Sequence, residues 1–258
     1  MKTIIIGDVH GSFLQLTQLL DQVQLDCQRD RLIFLGDLMD RGPQSWEVFD
    51  LVRRLKLEMG ERCMLIKGNH EQMMLEAEKD RMMMNLWYTN GGGRTVQSFK
   101  RHRDQVWNHS AWFRQMVLYV ETEDFICVHG GIGPEGPEQT DEETFLWDRF
   151  ILEGNYQGKL VIAGHTPLST PVYMDGHGNT VPFDQGKQIP LPKTGYICLD
   201  TGCVFGYRLT ALVVEDGMCR TEWTACGTDA QSACGTERQS DSGERFPRQA
   251  GDIWEDEI

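Results

Sequence analysis

Five short segments constrain this chain most: Gly7-Asp8-Val9-His10-Gly11, Gly36-Asp37 through Arg41-Gly42, Gly68-Asn69-His70-Glu71, His129-Gly130-Gly131 and Gly164-His165-Thr166. Each follows an apolar run: Thr3 to Ile6, Leu32 to Leu35, Met64 to Ile66, Phe125 to Val128 and Leu160 to Ala163. The runs are short and rich in β-branched residues, as buried strands are. Every Asp, Asn or His of the set therefore sits where a strand ends. In layered α/β folds that edge delivers side chains into a common crevice, and adjacent glycines let the backbone turn with no Cβ in the way. A single Asp-Gly pair or buried His is ordinary turn or core chemistry. Five segments in fixed order, all closing strand-like runs, point to one shared site instead.

The 258 residues, 40% of them hydrophobic, suffice for one substantial domain, and nothing demands two. No apolar run approaches the roughly 20 residues that span a bilayer. Met1-Lys2 leads straight into the first run without a signal-like segment, so a soluble, cytoplasmic protein with no membrane partner is expected. The eight cysteines include no C-x-x-C pair, and Cys127, Cys198 and Cys203 fall in or beside strand-like runs; reduced, mostly buried thiols are expected. A net charge of -14 disfavours nucleic acid as a partner, because phosphate-gripping surfaces gather Lys and Arg. Small anionic substrates answer to local charge and stay open.

Along the chain, Ser12 is placed as an N-cap before a helical stripe of Phe13, Leu16, Leu19, Leu20 and Val23. Pro43 marks the next helix start, ahead of Trp46, Phe49, Val52 and Leu55. The methionines Met73, Met74, Met82, Met83 and Met84 read as an adaptable core or lid helix. Asn90 to Gly93 reads as a tight loop, and Ser169 to Thr194, with four prolines, as an irregular excursion. A last strand pair is expected at Tyr196 to Asp200 and Leu209 to Val214. Beyond Gly217 large apolar residues become scarce, so residues 1-217 are expected to form the catalytic domain and 218-258 a polar, disordered tail.

Carboxylate and imidazole donors together suit hard or borderline divalent ions such as manganese, iron or zinc. Asp8, His10, Asp37, Asn69, His129 and His165 exceed one ion's open coordination; a carboxylate shared by two ions roughly 4 Å apart accounts for them, and Asp37 is the candidate bridge. Water shared by two ions loses proton affinity, so hydrolysis of a phosphate ester needs no Ser or Cys nucleophile. The leaving oxygen needs a proton, which His70 can donate with Asp40 orienting and charging its imidazole. Arg41 can hold phosphate oxygens through its planar fork.

With G-D-x-H-G, G-D-x-x-D-R-G, G-N-H-E, H-G-G and G-H-T in order, the chain resembles calcineurin-like metallophosphoesterases of the phosphoprotein phosphatase type over roughly Met1 to Gly217. Among them it is most similar to small bacterial and bacteriophage serine/threonine phosphatases, which share the G-N-H-E-Q-M stretch at Gly68 to Met73 and a tryptophan before N-G-G, here Trp87 and Asn90 to Gly92. The resemblance implies an α/β fold, a two-sheet β-sandwich flanked by helices. It implies one metal on Asp8, His10 and Asp37 and a second on Asp37, Asn69, His129 and His165. It implies His70 and Asp40 as the catalytic pair, Arg41, Asn69 and Arg149 on the phosphate, and a phosphoprotein or phosphopeptide as substrate. Lys67 stands where many relatives carry Arg, keeping the charge and losing bidentate geometry. The first rival is a bis(5'-nucleosyl)-tetraphosphatase; those enzymes resemble G-D-x-x-A-R-G and G-N-H-D, whereas Asp40 and Glu71 stand at those places here. The second is a catalytically silent metal-binding scaffold, against which stands the presence of every proposed ligand and of His70 with Asp40.

Overall fold

Each of the five apolar runs forms a strand, to within a residue at either end. The computed structural model describes residues 1–149 and 154–226. Its strands are β1 (Thr3–Ile6), β2 (Arg31–Phe34), β3 (Cys63–Leu65), β4 (Tyr119–Glu121), β5 (Phe125–Val128), β6 (Leu160–Ala163), β7 (Val172–Met174), β8 (Thr180–Pro182), β9 (Ile189–Pro190), β10 (Tyr196–Cys198), β11 (Arg208–Glu215) and β12 (Met218–Ala225). They make two mixed six-stranded sheets, ordered β3-β2-β1-β11-β12-β9 and β4-β5-β6-β10-β7-β8. The α-helices are α1 (Phe13–Gln22), α2 (Ser45–Met59), α3 (Asn69–Ala77), α4 (Arg81–Trp87), α5 (Gly93–Arg101), α6 (Ser110–Phe113) and α7 (Glu142–Trp147).

Alternation along each strand explains why the runs carry no polar residues. Ile5, Ile33, Leu35, Phe125, Cys127, Leu160, Ile162, Ile197 and Leu212 meet in one cluster drawn from both sheets. Their neighbours Ile4, Ile6, Leu32 and Phe34 pack against Leu16, Leu19, Val48 and Val52 of the helices. On the second sheet Ile126, Val128, Val161 and Ala163 cover Phe145 of α7. Strands buried on both faces must be apolar at every position. The result is the expected α/β fold, two sheets flanked by helices. Among the described residues no helix is long and apolar enough to cross a membrane.

Four expectations need correction. The boundary at residue 217 is too early: Met218–Ala225 is β12, paired with β11 over eight residue pairs. The connection is Asp216-Gly217, both at positive φ (50° and 72°), a two-residue hairpin turn of the Asp-Gly kind. The strand looks polar because its sheet-buried positions include Cys219, Thr221 and Thr224 in place of aliphatics. Residues 227–258, where the rest of the expected tail falls, lie outside the described residues. The excursion from Ser169 to Thr194 contains β7, β8 and β9. Ser12 does occupy the N-cap position of α1, yet its hydroxyl makes no capping hydrogen bond.

Finally, the cysteines are not all reduced. Cys203 and Cys226 form a disulfide, because the antiparallel return of β12 brings Cys226 beside Tyr207, whose carbonyl accepts the Cys226 N–H at 2.9 Å. Cys27, Cys63, Cys127, Cys198 and Cys219 are free, and burial pushes the Cys63 thiol up to about 12. The methionines divide: Met73 and Met74 are wholly buried in the helical core, while Met82 is 79% exposed.

Candidate active site

In each sheet the motif-bearing strands run parallel, β1, β2 and β3 in one and β5 and β6 in the other, so their C-terminal ends share an edge. Asp8 and His10 follow β1, Asp37 to Arg41 follow β2, Asn69 and His70 open α3 just after β3, His129 follows β5, and His165 follows β6. The two edges are joined directly. His129 Nδ1 lies 2.9 Å from the Leu35 carbonyl, and both Asp8 carboxylate oxygens accept the His165 N–H, at 3.1 and 3.2 Å. Asp8, His10, Asp37, Asp40, Asn69, His70, His129 and His165 are all buried, and all stand in this one crevice.

The turns that place them are strained. His10, Asp37, Asp40, Arg41 and His165 have φ of 44°, 48°, 69°, 61° and 62°, five of the eight non-glycine residues with positive φ among those described. Such conformations cost on the order of 1–3 kcal/mol each and persist where surrounding structure over-determines them. Their concentration at the crevice makes it the candidate functional site.

The hydrogen bonds fix which ring nitrogens face inward. His10 Nδ1 donates to the Met39 carbonyl at 2.8 Å and His129 Nδ1 to that of Leu35, which leaves both Nε2 atoms as lone pairs. His129 Nε2 lies 3.0 Å from Asn69 Oδ1, two acceptors face to face. His165 Nε2 and His70 Nε2 are buried with no partner among the described residues. Among the described residues, two sets have donor atoms within 4.8 Å of one another: His10, Asp37 and His70, and Asp37, His129 and His165. Asp37 is common to both. Asp8 stands outside both sets, held through its contacts to His165.

The electrostatics ask for cations. Burial first, then the charges of Asp200 and Asp37, push Asp8 well above the ordinary carboxylate range. Asp37 goes the other way: burial alone would raise it, but His129, His70 and His10 around it outweigh that and hold it low. Burial pulls His10, His129 and His165 down, toward the neutral form that binds metals. Facing acceptors, orphaned ring nitrogens and crowded carboxylates are the features a bound cation satisfies, so the residues fit two divalent ions.

In the same crevice His70 and Asp40 form a buried pair. His70 Nδ1 donates to Asp40 Oδ2 at 2.8 Å. Burial lowers His70, yet the Asp37 charge and the Asp40 hydrogen bond more than offset it, and the net displacement is upward. Arg41 Nη1 donates to His10 Nε2 at 3.0 Å, so its donor fork lies at the site. Arg149 is exposed, and its charge acts on His129 and His165. Lys67 Nζ is engaged by Gln72 Oε1 at 3.1 Å and Glu142 Oε1 at 3.4 Å.

Beside these residues stand Glu71 and Asp200, two buried carboxylates to which sequence reasoning assigned no role. Glu71 Oε2 accepts the N–H groups of Asp37 and Gly68, and Oε1 that of Leu38, each at 2.9 Å. It staples the loop after β2 to the start of α3. Burial, then the Asp37 charge, push it up to about 7. Its position three residues past the N-cap Gly68, where Glu reaches back to the cap N–H, was the available signal. Replacing Glu71 with Ala orphans three donors and is expected to cost about 3–5 kcal/mol; an unchanged Tm in calorimetry would remove Glu71 from the account. Asp200, just past β10, is buried near Asp8 and accepts the Gly202 N–H at 2.9 Å. It obeys the same strand-end rule that selected Asp8 and Asp37.

The profile of the calcineurin-like phosphoesterases matches residues 1–196. A symmetrical bis(5'-nucleosyl)-tetraphosphatase of Vibrio parahaemolyticus is 28% identical, over 84% of this chain and 96% of its own length. Serine/threonine-protein phosphatase 1 of Salmonella typhimurium is 29% identical, over 82% of this chain and 91% of its own. In three dimensions a protein serine/threonine phosphatase from Saccharomyces cerevisiae superposes with a TM-score of 0.61 at 17% identity, covering 86% of this chain and 79% of that one; this likeness is one of fold.

Proposed function

This chain belongs to the calcineurin-like phosphoesterase family, and from that premise and the geometry of its crevice we propose that it hydrolyses phosphomonoesters, with phosphoserine and phosphothreonine side chains of proteins as the preferred class. The observation that carries the reading is the buried His70–Asp40 pair, 2.8 Å apart, with His70 Nε2 unpartnered beside Asp37. Asp8, His10, Asp37, Asn69, His129 and His165 would hold two divalent ions, manganese foremost, which when bound supply positive charge at the phosphate and an activated water.

The chain's own residues do the rest. Arg41, Arg149 and Asn69 hold the phosphate oxygens, the arginines through planar donor forks, and fix phosphorus for in-line attack. Asp40 accepts the Nδ1–H of His70 and by its charge favours the imidazolium, in which Nε2 carries a second proton. His70 Nε2 then delivers its proton to the departing seryl or threonyl oxygen as the P–O bond breaks, giving the free hydroxyl and inorganic phosphate.

That proton decides between substrate classes. A serine alkoxide is strongly basic and leaves poorly without it, whereas the phosphate oxyanion expelled from a nucleoside polyphosphate is a weak base and leaves without help. A fixed acid pair is therefore worth most on a phosphomonoester. The tetraphosphatase reading keeps one specific support, the relatives of that name that align over nearly their full length. Turnover of a phosphoserine peptide compared with that of diadenosine tetraphosphate separates the two: the peptide is expected to be the better substrate, and a large preference for the dinucleotide would overturn the proposal.

A further inference from the structure

The tryptophan that precedes Asn90-Gly91-Gly92 has specific surroundings. Trp87 closes α4, fully buried, and its Nε1–H donates to Asp40 Oδ2 at 2.7 Å, the same oxygen that accepts from His70. An indole N–H can only donate. From α5, the Thr95 hydroxyl donates to Asp40 Oδ1 at 2.6 Å and accepts the Asp40 backbone N–H at 2.9 Å. Ser45 Oγ stands 3.1 Å from the same hydroxyl. Asp40, Thr95 and Ser45 are all wholly buried, so the network has no water-exposed member.

The bend between α4 and α5 delivers both donors. It turns at Gly91, whose φ of 103° no other residue adopts readily, and the Gly91 carbonyl accepts the Arg41 N–H at 3.3 Å. A Cβ on Gly91 would lie 2.7 Å from the Arg41 nitrogen, and one on Gly92 would lie 2.4 Å from the Trp87 ring. The sequence W-x-x-N-G-G is thus a brace. It presses an indole donor and a backbone acceptor onto Asp40 and Arg41, two adjacent residues held at positive φ.

We infer that Trp87 and Thr95 are positioning residues, which fix the plane of the Asp40 carboxylate and through it aim His70 Nε2 at the leaving oxygen. A carboxylate's terminal torsion is broad and two-fold, so one hydrogen bond to His70 does not fix its plane. Three side-chain donors on two oxygens do. The inference rests on the reading of His70 and Asp40 as the acid pair, and its test separates the two claims.

The test compares phenyl phosphate, a poor leaving group, with p-nitrophenyl phosphate, a good one, on the metal-loaded full chain. Trp87→Phe and Thr95→Val are expected to lower kcat on phenyl phosphate by roughly 10- to 100-fold, the usual reach of a residue that orients a site group, with KM nearly unchanged. Loss on p-nitrophenyl phosphate should be several-fold smaller, since that anion departs without a proton. Thr95→Ser, which keeps the hydroxyl, should match wild type, and because Thr95→Val preserves shape this pair decides the matter even if Trp87→Phe fails to fold. Equal losses on both substrates, or a Thr95→Ser variant as impaired as Thr95→Val, would overturn the inference. His70→Asn in the same assay locates the failure: if it too is blind to the leaving group, the acid reading falls, and if it alone is selective, only the brace falls.

Discussion

Asp37→Asn is expected to lower p-nitrophenyl phosphate turnover by about 10³-fold or more, the scale on which losing metal activation of water acts, and to reduce bound metal below two ions per chain in calorimetric titration. Asp37 is the one residue common to both donor sets, and its carboxylate lies 3.4, 3.9 and 3.5 Å from ring nitrogens of His10, His70 and His129. Asparagine keeps the shape, and its Oδ1 can still accept the His70 N–H that Asp37 Oδ1 takes at 3.1 Å. The charge between the imidazoles is what disappears. The variant should therefore stay folded while losing both metal and turnover; full turnover with two ions bound would place the bridge elsewhere.

The second large effect belongs to His70→Asn. It is expected to reduce turnover of a phosphoserine peptide by about 10²- to 10⁴-fold, the usual contribution of a positioned acid. Among the described residues the His70 side chain makes no hydrogen bond other than that to Asp40, so the fold should survive. Rapid-quench kinetics should place the loss in the chemical step. Unchanged function would favour the silent-scaffold reading in place of an enzyme.

Much of the site is legible in the sequence because one physical rule governs it. Asp8, His10, Asp37, Asn69, His129 and His165 all lie just past apolar strands, and parallel pairing within each sheet carries those ends to a common edge. Side chains that serve this site from elsewhere obey no such rule. Trp87 and Thr95 reach Asp40 from a helical bend 47 and 55 residues away, a contact that depends on how α4 and α5 fold back. Asp200 does obey it, and could have been chosen with the others.

The fold was least legible where burial falls on residues that do not look apolar. β12 buries Cys219, Thr221 and Thr224, so hydropathy hides it, while the Asp216-Gly217 hairpin signal at its head is plain. The Cys203–Cys226 disulfide spans 23 residues and exists because β11 and β12 form an antiparallel pair. No spacing rule predicts it. The short strands β7, β8 and β9 hold only two or three residues each, too few to show a period against the prolines around them.

Whether Asp8, His10, Asp37, Asn69, His129 and His165 assemble a two-metal phosphoesterase is decided by hydrolysis of p-nitrophenyl phosphate with chelator-stripped protein, to which manganese, magnesium, zinc or no metal is returned. Turnover should vanish on stripping and return with manganese as two ions per chain are taken up. Stripped, folded protein that keeps its full activity, or that no divalent metal reactivates, would contradict the account.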